Sequence, residues 1–216
     1  MILKYHTVSE FLLDCLKKLM ANPVFDDFVL VGGTALSLQL GHRMSIDIDL
    51  FTQKPYGSMN TEQIKSTLSE MFNYVAFLEG LNERSLFYPL YIGKNQKEYV
   101  KLDLAYTDEF ITPIIEQDGL RLASLQDIAA MKMQAIVNSK RKKDFWDIHE
   151  LLEHYSLKEL IDCGLQRNPY TLSQEEILTA LCNADKLTQN TEIHCLKGKF
   201  WELIIEDLKK EAQLIL

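Results

Sequence analysis

Phe28–Phe51, FVLVGGTALSLQLGHRMSIDIDLF, reads as a strand, a Gly-Gly turn, a helix and a second strand carrying Asp47 and Asp49. Alternate strand residues share a face. Asp47 and Asp49 are therefore expected side by side, with Ile46, Ile48 and Leu50 packed beneath them. Two carboxylates on one face are costly unless a cation sits between them, and a divalent metal is the usual solution. Gly32-Gly33 precedes the helix predicted over Thr34–Leu40. A Gly-rich turn opening a helix is a ready anion site, because its N–H groups and the helix dipole face the incoming charge. A phosphate cradle beside a carboxylate pair points to transfer of a nucleotide from a nucleoside triphosphate. Bland alternatives stand beside this. Gly-Gly alone is an ordinary turn, and paired charges also occur on edge strands, where they discourage aggregation.

A third carboxylate, Asp103, lies in YVKLDLAY, Tyr99–Tyr106. Leu102 and Leu104 alternate with it, so Asp103 falls on the polar face of its strand. If that strand lies beside the acidic one, three carboxylates converge. Such a triad can hold two Mg²⁺ ions in a two-metal clamp, with Asp103 as a further ligand or as the general base. A lone Asp in an amphipathic strand is also often simply exposed.

Outside this region the chain divides in character. Helices are predicted over residues 7–21 and Asn60–Phe72, and strands over Tyr74–Leu78, Ser85–Ile92 and Tyr99–Ala105, with a hairpin tip at Gly93-Lys94-Asn95. Beyond about residue 112 the pattern is almost wholly helical, with helices expected over Ser124–Asn138, Asp144–His154, Ser156–Leu165, Ser173–Cys182 and Lys197–Leu216. The expected organisation is α+β: residues 1–111 carry the chemistry and residues 112–216 form a helical C-terminal domain.

The bulk properties exclude several classes. With 47% apolar residues, 216 residues suffice for one sizeable core or two modest ones. No apolar run approaches the length needed to span a bilayer, and the N-terminus does not read as a signal peptide. Cys15, Cys163, Cys182 and Cys195 are scattered, as expected of reduced thiols in a cytoplasmic protein. No Cys or His pair has zinc-ligand spacing. The net charge of −8 opposes nucleic acid, so any RNA contact needs a local basic patch. Lys140–Lys143, KRKK, is the candidate. The same run suits the C-terminal end of the helix before it, and the two readings are compatible.

In combination, these motifs resemble the AbiEii/AbiGii-type nucleotidyltransferase toxins, of the polymerase-β-like superfamily. The residues that carry the resemblance are Gly32-Gly33-Thr34-Ala35-Leu36, Arg43-Met44-Ser45-Ile46-Asp47-Ile48-Asp49-Leu50-Phe51, Asp103, Lys132 and Lys143-Asp144-Phe145-Trp146-Asp147. It covers roughly residues 25–155. It implies a mixed sheet flanked by helices, followed by a helical bundle. It further implies that Gly32, Gly33 and Thr34 hold the triphosphate, that Asp47, Asp49 and Asp103 bind Mg²⁺, and that Arg43 and Ser45 flank the site. Lys132 would reach the triphosphate, and Asp144 would act in a second motif. Where the family often has an Arg, about five residues before Asp144, this chain has Ser139. The implied acceptor is a tRNA end and the implied partner an antitoxin protein. Two rivals are an aminoglycoside-type nucleotidyltransferase and a nucleotide-binding module without turnover. Lys132 on a helix rich in Met and Ala is also consistent with a snorkelling lysine.

Overall fold

Gly32 is where strand turns into helix, and it fixes how the acidic strand meets the rest of the molecule. In the computed structural model, which describes residues 2–77, 85–187 and 192–215, α1 (Glu10–Ala21) leads into β1 (Phe28–Leu30). Next come α2 (Gly32–Leu40), β2 (Asp47–Thr52), α3 (Thr61–Met71) and β3 (Tyr74–Phe77). A long hairpin follows, β4 (Phe87–Asn95) and β5 (Glu98–Tyr106), then a short one, β6 (Ile115–Gln117) and β7 (Leu120–Leu122). The remaining helices are α4 (Leu125–Asn138), α5 (Lys142–Leu151), α6 (Leu157–Arg167), α7 (Gln174–Cys182) and α8 (Trp201–Gln213). The fold is α+β.

The seven strands form one mixed sheet in the order β3-β4-β5-β2-β1-β7-β6. β2 runs parallel to β5 and β1 parallel to β7, while the other neighbours are antiparallel. Ile48 and Leu50 on β2, Leu90 and Ile92 on β4, and Leu102 and Leu104 on β5 alternate into the core. They share it with Leu12, Leu16 and Leu19, one apolar stripe of α1.

Several expectations are corrected. Ile46 lies before β2 and is 75% exposed, so it does not pack beneath the acids. Gly32 and Gly33 form the first turn of α2 rather than a turn ahead of it. The β4–β5 tip sits at Gln96-Lys97, because pairing continues to Asn95↔Glu98 past an irregularity after Gly93. Residues 115–122 form the β6–β7 hairpin where no strand was expected, and β7 joins β1 through Leu30↔Leu122. The expected strand end at Leu78 and helix end at Leu216 lie outside the described residues.

The segment before α8 is tied back to the loop after α2. Met44 N–H donates to His194 O at 2.9 Å and Leu196 N–H to His42 O at 2.9 Å, around an antiparallel bridge between Arg43 and Cys195. Lys197 and Lys199 both pair with the fully buried Glu150, Lys199 at 2.8 Å. Trp146 of α5 and Trp201 of α8 stack with ring centroids 6.5 Å apart and planes 13° from parallel.

Candidate active site

The parallel pairing of β2 with β5 puts Asp49 opposite Asp103 and Asp47 opposite Lys101. The three carboxylates thus lie on one face of two adjacent strands. Burial pushes the Asp49 carboxyl up to about 6, with the Asp103 and Asp47 charges adding to the shift against Lys132 and Lys143. Asp103 is buried. Its Oδ2 accepts from Lys101 Nζ at 2.5 Å, and its Oδ1 is a buried oxygen with no hydrogen-bond partner. Lys143 Nζ stands 3.6 Å from Asp47 Oδ2. Among the described residues, no three acidic, His or Cys side chains already enclose an ion-sized point. The cluster is one of crowded carboxylates with lysines at its edges.

The start of α2 abuts this cluster, and a side chain at either of its two glycines would displace a neighbouring charged group. Gly32 has φ +67°, and a Cβ there would lie 2.4 Å from Asp49 Oδ2. A Cβ on Gly33 would lie 2.4 Å from Arg43 Nη2. Val31, the residue before the helix, offers no side-chain cap, so no side chain of its own covers the first N–H groups. Thr34 is fully buried behind them. Its hydroxyl lies 2.8 Å from Ser45 Oγ and donates to the Asp47 carbonyl, so Thr34 and Ser45 fix the entry of β2.

Behind the glycines lies a buried ion network joining the two parts of the chain. Arg43 makes a two-pronged pair with Asp147, Nε to Oδ1 at 2.6 Å and Nη2 to Oδ2 at 2.8 Å. Lys132 Nζ sits 2.6 Å from both Asp144 Oδ1 and Asp147 Oδ2. His42 Nε2 lies 2.8 Å from Asp147 Oδ1, and Arg141 Nε donates to Asp144 Oδ2 at 2.8 Å. Burial pushes the Asp147 carboxyl up, but Arg43 and Lys132 override it and hold Asp147 well below the usual range. Burial likewise opposes the charge on Lys132, and Asp147 and Asp144 restore it.

These elements enclose a cleft of about 420 Å³. Gly32, Gly33, Asp47, Asp49, Asp103, Lys132 and Asp144 line it, whereas Thr34, Arg43 and Ser45 do not. Ser139 is at the rim, and Arg141 and Lys143 are the basic residues nearest to it in sequence that also line the cleft. The KRKK run is divided in its tasks: Arg141 and Lys143 face the cleft, while Lys142 sits 5.2 Å over the Trp201 ring. Arg167, at the end of α6, also lines the cleft and was missed in the sequence. It lies in no motif. It is half-buried, donating to Thr107 and to Glu109 O at 3.1 Å. Asp147, the last residue of the Lys143–Asp147 motif, is the hub of the network. Its spacing from Asp144 was the available signal.

A carboxylate face beside a glycine-opened helix, on a mixed sheet with a cationic wall from a helical region, is the arrangement the sequence led one to expect of a nucleotidyltransferase. The family profile described as "Nucleotidyl transferase AbiEii toxin, Type IV TA system" matches residues 14–170, and the chain belongs to that family. The protein aq_aa25 of Aquifex aeolicus (strain VF5) is 32% identical over 157 residues, 68% of this chain and 69% of that one. Two solved structures share the fold. JHP933 from Helicobacter pylori superposes with a TM-score of 0.56 at 21% identity, covering 95% of this chain and 89% of that one. MenT4, a nucleotidyltransferase toxin from Mycobacterium tuberculosis H37Rv, gives a TM-score of 0.51 at 11% identity, with 94% and 83% covered. Among the described residues, no helix is long and apolar enough to cross a membrane.

Proposed function

We propose that this nucleotidyltransferase moves a nucleoside monophosphate from a nucleoside triphosphate to a hydroxyl at an RNA end, with tRNA as acceptor and Mg²⁺ as cofactor. As a toxin it would be held in check by a cognate antitoxin protein. The observation that carries the reading is the placing of Asp49 against Asp103 on one side and against Gly32 on the other. The donor set suits a hard divalent cation: oxygen ligands only, one of them buried without a partner, and one carboxyl pushed up by its neighbours. Asp47, Asp49 and Asp103 would hold the ions. When bound, Mg²⁺ supplies neutralisation of the phosphate charge and a lower pKa for the attacking hydroxyl.

The protein's own groups do the rest. The N–H groups of the first turn of α2 receive phosphate oxygens, and the helix dipole favours their charge. Lys143 and Arg141, which border the same cleft, offset further negative charge. Lys132 is held by Asp144 and Asp147 so that its ammonium stays charged at the cleft wall. Asp103 is suited to accept the hydroxyl proton. Catalysis then rests mainly on positioning and charge complementarity.

The test is incubation with Mg²⁺, each labelled nucleoside triphosphate in turn, and total tRNA, followed by a denaturing gel. Label on RNA that disappears in Asp47→Asn and Asp49→Asn is the expected result. Undiminished labelling by both variants removes the metal assignment. Label found on an aminoglycoside but never on RNA replaces the acceptor with a small molecule.

A further inference from the structure

The carboxylate face does not end at Asp103. On β5, Tyr99 and Lys101 have the same parity as Asp103, so all three point to one side. Register carries that face onto β4 through Tyr91↔Lys101, Pro89↔Asp103 and Phe87↔Ala105, and onto β3 through Ala76↔Tyr91 and Tyr74↔Gly93. Tyr99 meets Tyr91 edge-on with centroids 5.3 Å apart, and Tyr74 with centroids 6.1 Å apart. Tyr99 is 49% exposed and Phe87 is 42% exposed. Lys101 bridges the aromatic group to the acids, with Nζ 5.9 Å from the Phe87 ring centre and 2.5 Å from Asp103.

We propose that this open face of β3, β4 and β5 is the track on which the unpaired end of the acceptor RNA stacks its bases. The inference rests on the RNA-acceptor reading above and adds where that RNA lies. Three features select this occupant. The first is direction. The phosphate-binding turn of α2 is on the β1 side of the carboxylates, and in-line transfer requires the attacking hydroxyl to come from the side opposite the leaving group. In the strand order, the β4 side of the carboxylates is the one away from that turn.

The second feature is chemistry. The exposed Tyr99, with the half-buried Tyr91 and Tyr74 against it and a lysine beside it, offers π-faces to any base and a cation to the backbone, the combination that binds single strands without reading sequence. Cross-strand aromatic pairing explains the Tyr91–Tyr99 contact, but half of Tyr99 is still in water. The third is continuity. Tyr99 lies four steps along the strand from Asp103, about 13 Å, so a strand stacked on Tyr99 has its end within reach of the carboxylates.

The experiment measures fluorescence anisotropy of a labelled oligoadenylate and of a blunt RNA duplex with the full chain and with Tyr99→Ala, Tyr91→Ala and Tyr99→Phe. Thermal unfolding and nucleoside triphosphate affinity are recorded for each. The single strand is expected to bind more tightly than the duplex. Each alanine variant should weaken it about tenfold, as expected for loss of one stacked base. Tyr99→Phe should bind like the parent, the alanine variants should lose no more than a few degrees of unfolding temperature with the cross-strand ring contact, and triphosphate affinity should be unchanged throughout. In the transfer assay, KM for tRNA should rise in Tyr99→Ala while KM for the triphosphate does not.

Unchanged oligonucleotide binding in both alanine variants overturns the proposal, and if tRNA is still labelled the acceptor reading survives alone. Loss of triphosphate affinity in place of RNA affinity gives the face to the incoming nucleotide and also overturns it. A variant that alters the chain's sedimentation but not RNA binding assigns the face to contact between copies of this chain, with the same consequence. Tyrosine-dependent strand binding with no label ever joined to RNA keeps the stacking face and removes the acceptor reading.

Discussion

Asp49 carries an unfavourable charge for the sake of the site. Its carboxyl is half-buried at the cleft beside Asp103 and Asp47 and pushed up to about 6, a penalty of roughly 3 kcal/mol at neutral pH in the cation-free protein. Asp49→Asn should therefore raise the unfolding temperature by several degrees in chelator, while abolishing transfer. Calorimetry paired with the labelling assay checks both, and a destabilised variant would contradict the crowding argument. Asp147 is the opposite case. It balances Arg43 and Lys132, so Asp147→Asn leaves buried cations underpaired and should cost about 3–5 kcal/mol. Its carboxyl is depressed in the fold, so its contribution is complete above the ordinary carboxylate pKa of about 4 and lost as pH falls toward the folded value. Unfolding temperatures measured down to acid pH should fall more steeply in the parent than in the variant, and parallel curves would refute the assignment. Gly32→Ala combines a left-handed φ with a Cβ 2.4 Å from Asp49 Oδ2. It should reduce transfer by more than tenfold, at a stability cost of about 1–2 kcal/mol.

At the scale of elements, the segment through His194–Leu196 holds the loop that carries Arg43, and Glu150 anchors the two lysines that follow it. Glu150→Gln weakens both pairs at a fully buried position. It should accelerate hydrogen exchange at the Met44 and Leu196 amides and quicken proteolysis after Lys197 or Lys199. Unchanged exchange would mean the backbone bridge alone secures the loop. The same contrast explains what the sequence revealed. Gly32-Gly33 and the alternation of Asp47, Asp49 and Asp103 are short-range patterns, legible because strand parity and helix-start chemistry act over a few residues. The partnership of Arg43 with Asp147 spans 104 residues and has no local trace beyond a second acid three positions after Asp144. Arg167 is recruited only because α6 packs on α4. β6 and β7 have three residues each, too few for a period to show. The hairpin tip was drawn to Gly93, where a Cβ would lie 2.3 Å from the Glu98 carbonyl. That glycine serves close strand approach rather than the turn.

At the scale of the whole molecule, the sheet and the cleft both draw on residues from each side of position 112. β7 covers the flank of β1, Asp147 pairs with Arg43, and Lys143 stands by Asp47. Residues 1–111 alone would leave β1 as an open edge and Arg43 without its carboxylate. That fragment should show no cooperative thermal transition by circular dichroism, whereas the full chain should show a single one. A sharply melting fragment would show that the catalytic strands are self-sufficient. The Trp146–Trp201 stack has an optical consequence. These are the only two indoles in the chain, so all of its indole absorption comes from one near-parallel chromophore pair at the α5–α8 seam. Lys142 lies over one ring, and the next residue, Lys143, reaches Asp47. Emission and near-ultraviolet dichroism therefore gauge one place, two residues from Asp144, and a ligand that pulls on Lys143 changes the colour of the light without any label.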